Sequence, residues 1–182
     1  MWVHGRPVAL RELAADPSLV ASGVVMQTCT GGSNPMYVTM SVDINAPAER
    51  VWEFLVEPDL AMQWFTNLKR YEWTSERSGV GSTFSWTEEA GGRTFYIDFE
   101  TTEWDPPHVF AYSQVKSDFL KSYDERWEIE TTEGGCRFTF NDRVEFPYGP
   151  FGKVIGYFAA RTARQTGSDI LANLKRLAEA AA

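Results

Sequence analysis

The sequence predicts an α+β fold: one curved antiparallel sheet of seven strands, with two short helices near its start and one long helix at its end. Three observations carry this expectation. Apolar and polar residues alternate in successive short runs between Met36 and Phe146, which is the period of half-buried strands. Turn signals rich in Gly, Pro, Asp and Ser separate those runs by only a few residues, as antiparallel neighbours require. From Pro150 onward the apolar period changes to that of a helix.

The first strand is the run Val38, Met40, Val42 and Ile44, alternating with Thr39, Ser41 and Asp43. Ala46-Pro47-Ala48-Glu49 then opens a helix, with Pro47 expected at the first helical position and Glu49 in the first turn. Val51, Trp52 and Leu55 share one face of it. Pro58 begins a second short helix over Asp59 to Gln63, which carries Leu60 and Met62 towards Trp64-Phe65. The remaining strands are read as Leu68 to Ser75, Thr83 to Thr87, Thr94 to Trp104, Val109 to Val115, Tyr123 to Glu130 and Cys136 to Phe146.

In the final segment Ile155, Phe158, Ala159, Thr162, Thr166, Ile170, Asn173, Leu174 and Leu177 form a stripe opposite Arg161, Arg164, Lys175 and Arg176. A helix of roughly 25 residues is about 37 Å long, enough to cross the sheet. One helix is narrower than seven strands, so concave sheet is expected to stay uncovered beside it and form a cavity. Residues 1–35 read as an extension ahead of a domain spanning 36–182. Pro7 to Ala15 there is a candidate short helix, and Thr30 to Pro35 a flexible linker. A mobile arm, a lid and a chain start placed ahead of Met36 all fit this segment.

Composition narrows the function. The chain of 182 residues is long enough for one domain with a real core. Its net charge of −8 disfavours nucleic acid as a partner, because that surface repels phosphate. The basic residues on the last helix read as an ordinary solvated face. Cys29 and Cys136 lack metal-type spacing, so free thiols in a reducing, cytoplasmic setting are expected. No apolar run reaches the ~20 residues needed to span a membrane. Nothing predicts a metal or a cofactor: the two histidines are His4 and His108, and no HExxH, Walker-type or GxGxxG phrase occurs. A monomer or weak homodimer is expected.

Strand parity nominates the inward polar groups. Asp142 falls in phase with Phe138, Phe140, Val144 and Phe146, and Glu125 in phase with Tyr123, Trp127 and Ile129. An inward carboxylate costs several kcal/mol unless paired or protonated. Asp142 and Glu125 are therefore candidate acid–base groups, with Tyr123, Tyr71 and Tyr157 as candidate donors to a ligand carbonyl. The competing reading is structural: Glu125 paired with Arg126 or Arg143, or a group reaching water at a strand end. Phe95, Ile97 and Phe99 share a phase with Thr101, while Asp98 and Glu100 face solvent. Candidate ligand-binding rings are Trp64, Phe65, Trp73, Phe84, Trp86 and Trp127, joined by Phe99 and Phe140 on the strands and by Phe158 and Thr162 on the last helix. Trp64 and Phe65, read as loop residues, would sit where a gate belongs. The alternative for any of these rings is plain core packing.

The element order is that of helix-grip proteins, and local phrases agree. Val42-Asp43-Ile44-Asn45-Ala46-Pro47-Ala48-Glu49-Arg50-Val51-Trp52 resembles the opening of the SRPBCC (START-like) superfamily in its polyketide cyclase/dehydrase-like branch. Gly79-Val80-Gly81-Ser82, Glu103-Trp104-Asp105-Pro106-Pro107 and Gly149-Pro150-Phe151-Gly152 resemble that branch's turns, and Leu174-Lys175-Arg176-Leu177 its C-terminal end. The resemblance implies a hydrophobic cavity for a lipid- or polyketide-like small molecule. Binding or carriage of such a ligand is the first expectation. A polyketide cyclase or dehydratase is the second, and a ribosome-associated, toxin-like effector the third. Fold alone does not choose among them.

Overall fold

The computed structural model describes residues 24–27, 35–90, 92–147 and 166–180. Its elements are β1 (Val24–Gln27), β2 (Met36–Ile44), α1 (Ala48–Val56), α2 (Pro58–Trp64), β3 (Leu68–Trp73), β4 (Thr83–Ala90), β5 (Arg93–Asp105), β6 (Val109–Ser117), β7 (Ser122–Thr132) and β8 (Gly135–Glu145). A C-terminal helix, α3, covers 166–180. The seven expected strands are present. An eighth, β1, comes from the segment read as an extension and pairs with β2 through Val24↔Val42 and Gln27↔Thr39. The candidate helix at 7–15 and the part of the last helix before residue 166 lie outside the described residues.

Sheet order is β1-β2-β8-β7-β6-β5-β4-β3, and every neighbouring pair is antiparallel. From β3 to β8 this is a meander, because each turn is too short to do anything else. β2 departs from the meander and pairs with β8 at the far side. The helices explain the jump: α1 and α2 carry the chain across the concave face from β2 to β3. α1 lies over β7 and β8, and α2 against β3. Register shifts between Asp98 and Phe99, and again between Thr101 and Glu103, bend β5 against β6 and help the sheet curl.

Local chemistry sets the helix ends. Pro47 is the residue before α1 rather than its first turn, with extended backbone and no side-chain cap, while Pro58 takes the first position of α2. The last carbonyls of α1 have no partner within the helix, so side chains supply them. Trp64 Nε1 donates to Phe54 O at 2.8 Å, and Trp73 Nε1 and Arg77 Nη1 donate to Val56 O at 3.1 and 3.0 Å. Two rings expected at a ligand therefore also act as helix caps.

α3 covers the β2–β8 side. Its buried stripe is Gly167, Ile170, Leu171, Leu174 and Ala178, the i, i+3, i+4, i+7 spacing of one helical face. The expected stripe had the right face but left out Leu171, which is fully buried, and included Asn173 and Leu177, which sit at its margin. A Cβ on Gly167 would lie 2.6 Å from Met40 Sδ and 3.6 Å from Phe140 Cζ, so α3 sits directly on β2 and β8. Its far end is tied down by Lys175 Nζ donating to Asp43 O and Asn45 N donating to Glu179 Oε1, both at 2.8 Å.

The β7–β8 hairpin is held just as closely. Gly134 turns with φ +89°, and a Cβ on Gly135 would overlap the Ile44 carbonyl oxygen. Overpacking against a fixed backbone costs roughly 1–3 kcal/mol, at times more. Gly135→Ala is therefore expected to lower the unfolding free energy in urea by about 3 kcal/mol. Gly134→Ala, which meets no atom within 4 Å, carries only the conformational cost of about 1–2 kcal/mol.

Candidate functional site

Strand alternation aims Phe84, Trp86 and Glu88 of β4, Ile97 and Phe99 of β5, Phe110 and Tyr112 of β6, Tyr123, Glu125 and Trp127 of β7, and Phe138, Phe140 and Asp142 of β8 to the concave side. One end of this surface is filled with interlocking rings. Trp86 packs against Phe99 at 5.1 Å and Tyr112 at 5.4 Å between ring centroids, and Trp64 packs against Trp127 at 5.8 Å and Phe138 at 6.1 Å. Trp64, Phe84, Trp86, Phe99 and Trp127 each keep 2% or less of their surface exposed, so these rings touch one another and not a ligand-sized space. Trp64 closes α2 rather than sitting in a loop, and Phe65 is the residue that ends the helix, stacked on Trp64 at 5.4 Å. Of the other candidates, Phe65, Trp73 and Phe140 are half-buried, while Phe158, Thr162 and Tyr157 lie outside the described residues.

Polar groups gather at the other end. Glu125 is 5% exposed and stands directly across from Asp142 in the β7–β8 register. Tyr112 Oη donates to Glu125 Oε2 at 2.6 Å and Tyr123 Oη donates to the same oxygen at 2.8 Å. Trp127 Nε1 donates to Oε1. Burial keeps both phenols protonated far above the ordinary tyrosine range, and the charge of the carboxyl groups pushes the same way. They are permanent donors.

These donors decide where the charge sits. Burial raises Glu125, while its three donors and Asp142 oppose that rise. Asp142 has no such help. Burial first, then the charges of Glu125 and Glu88, drive its carboxyl well above the usual range. Asp142 Oδ1 is buried with no donor on it among the described residues. A contact between two carboxyl groups is a hydrogen bond only when one holds a proton; both groups are raised, and Asp142, driven up further, is the one that keeps it while Glu125 is the more readily ionised. The cations expected as partners of Glu125 face the opposite side of the sheet. Arg126 holds Glu103 at 3.0 Å and also Glu128, and Arg143 holds Asp124 at 2.8 Å. Neither arginine is therefore the partner of Glu125, and no described cation pairs with it.

Two members of the cluster escaped the sequence reading. Glu88 is pushed up to about 7, first by burial and then by the Glu125 charge. It shares the parity of Phe84 and Trp86, but the strand read from sequence as Thr83 to Thr87 runs on to Ala90 and takes Glu88 with it. Tyr112 follows Phe110 in phase and had the same signal available. Asp98 and Glu100 lie on the outer face as expected, Asp98 accepting from Ser85 Oγ at 2.6 Å. Tyr71 is buried and its hydroxyl has no partner among the described residues, and the same holds for the indole N–H of Trp86. His108 is exposed, its Nδ1 3.2 Å from Ile129 O. Among the described residues no group of His, Cys, Asp and Glu is set to hold a metal ion, and no helix is long and apolar enough to cross a membrane.

A curled antiparallel sheet gripping a C-terminal helix, with a polar cluster buried on its concave face, defines a helix-grip protein of the START-like class. Residues 36–179 match the family described as polyketide cyclase / dehydrase and lipid transport, and the chain belongs to that family. Solved structures agree in fold. The ZhuI aromatase/cyclase from Streptomyces sp. R1128 superposes with a TM-score of 0.69 at 16% identity, over 80% of this chain and 94% of that one. A protein from Thermus thermophilus gives 0.69 at 20% identity, over 80% and 99%. A START superfamily protein from Mycobacterium smegmatis gives 0.64 at 13% identity, over 78% and 98%. No curated protein matches in sequence.

The raised carboxyl groups make stability pH-dependent. Below the ordinary value of 4.5 both folded and unfolded chains carry a protonated Glu88. Between 4.5 and about 7 only the folded chain keeps that proton, so stability falls as pH rises through this window. Glu88→Gln is expected to abolish this part of the slope. Urea titrations of the variant and the parent should diverge by on the order of 2 kcal/mol between the acidic and alkaline sides of the window, the variant being the more stable at high pH.

Proposed function

We propose that the protein binds a hydrophobic small molecule of lipid or polyketide type on the concave side of the sheet beside the C-terminal helix. The polar end of that molecule meets Glu125, Asp142 and Glu88. One observation carries this reading: a pair of carboxyl groups buried opposite one another, with no cation on them among the described residues. Burying such groups costs several kcal/mol, and nothing in the packing of the sheet requires them. Their retention fits a ligand site at the end of the core that the rings do not fill. Half-buried Phe95, Phe119, Leu120 and Phe140 offer apolar surface beside it. Family membership supports the ligand class.

The same pair favours a second reading, a cyclase or dehydratase, for which the ZhuI aromatase/cyclase is the structural precedent. A neutral Asp142 can protonate a ketone or a departing hydroxyl, while the neighbouring Glu125 anion can remove a proton from the adjacent carbon. Acid and base then stand side by side without a histidine.

Native mass spectrometry of gently purified protein, followed by extraction, is expected to reveal a stoichiometric apolar molecule. Failing that, the empty protein should bind a hydrophobic dye that a long-chain lipid displaces. A protein that is both empty and inert to the dye would remove the binding reading. The catalytic reading is tested with a poly-β-keto thioester. The protein should change the product distribution relative to buffer, and Asp142→Asn should slow that reaction by about 100-fold. Equal rates for variant and parent would leave binding alone.

A further inference from the structure

The chemistry of the polar end restricts what can be bound. Resting on the binding reading above, we infer that the ligand presents a hydroxyl or ammonium group, a hydrogen-bond donor, to the Glu88–Glu125–Asp142 cluster, and that chains ending in a carboxylate are rejected.

The cluster is unbalanced in acceptors and donors. Tyr112, Tyr123 and Trp127 donate to Glu125, and the Asp142 proton is turned to the same carboxyl, so every one of these donors is already committed. Asp142 shares a proton with Glu125 and receives no other donor from the described residues, and its Oδ1 is buried. Glu88 lies close enough to raise both Asp142 and Tyr123 through its charge, and no described side chain donates to it. A ligand that brings a donor therefore meets an unfilled need. One that brings only acceptors does not.

Charge points the same way. Among the described residues the influences on Glu88, Glu125 and Asp142 come from carboxyl groups, phenols and an indole, and none from Lys or Arg. A second anion placed here would meet Glu125 in a poorly solvated space with no counterion, and like charges in such a space repel strongly.

A hydroxyl or ammonium group is able to donate to these acceptors; a carboxylate can only accept.

The test is a dye-displacement series on the full chain near neutral pH, using a long-chain alcohol, amine and carboxylic acid of one chain length. The alcohol and the amine should displace the dye at concentrations about tenfold or more below the acid. An acid that competes as well as the alcohol overturns the inference while leaving hydrophobic binding in place. A dye that never binds removes the binding reading and the inference with it. Glu88→Gln and Asp142→Asn, measured separately because either could perturb folding, should bring the acid closer to the alcohol. If the preference is unchanged in both folded variants, the cluster is not its source and the inference fails.

Discussion

Once Trp127 and Ile129 of β7 enter the core, the two-residue period of a strand leaves Glu125 only one direction to take. The same constraint acts on β8, where Phe138 and Phe140 carry Asp142 inward, and on β4, where Phe84 and Trp86 carry Glu88. Antiparallel register then decides who meets whom. Glu125 faces Asp142 across one strand boundary, and Tyr112 stands opposite Glu125 across the next. The core's own packing thus delivers three carboxyl groups and their donors to one place.

That delivery would be ruinous if all three groups were charged. The structure answers with unequal treatment. Glu125 receives the available donors and holds the charge, whereas Asp142, which receives none, keeps a proton. Glu88 lies between these extremes, near neutrality in its titration. Two carboxyl groups in one site with opposite protonation states form the arrangement from which acid and base roles are made. It is equally suited to reading the polar end of a ligand. Both uses come from one asymmetry in hydrogen bonding.

Filled and polar ends of the concave face divide the work of the domain. Trp86 meets Phe99 and Tyr112 edge to face, and Tyr112 meets Trp127 in the same way, a favoured geometry for aromatic pairs. Trp64 and Trp73 extend that cluster into α1 by capping its carbonyls. This end is rigid scaffold. At the other end the β6–β7 loop folds over, with Phe119 against Phe95 at 5.5 Å and Gln114 Nε2 donating to Leu120 O at 3.2 Å.

Sequence alone determined the elements and their faces. Period and turn residues placed the seven strands of the expected sheet, α1 and α2, and parity put Glu125, Asp142 and Tyr123 inside, because side-chain direction in a strand is a local property. What it could not supply was contact between residues distant along the chain. Pairing of β2 with β8 follows from where α1 and α2 deliver the chain in three dimensions, and β1 adds to the edge of β2 that β8 leaves open. Trp64 looks like a gate in sequence and is a helix cap in space, since its partner, Phe54 O, is fixed only by the packing of α2 on α1. Nor could parity say which inward carboxyl group would be charged. That depended on Tyr112, Tyr123 and Trp127 all reaching Glu125 while Arg126 and Arg143 turned outward, an outcome of register and burial that only the assembled sheet decides.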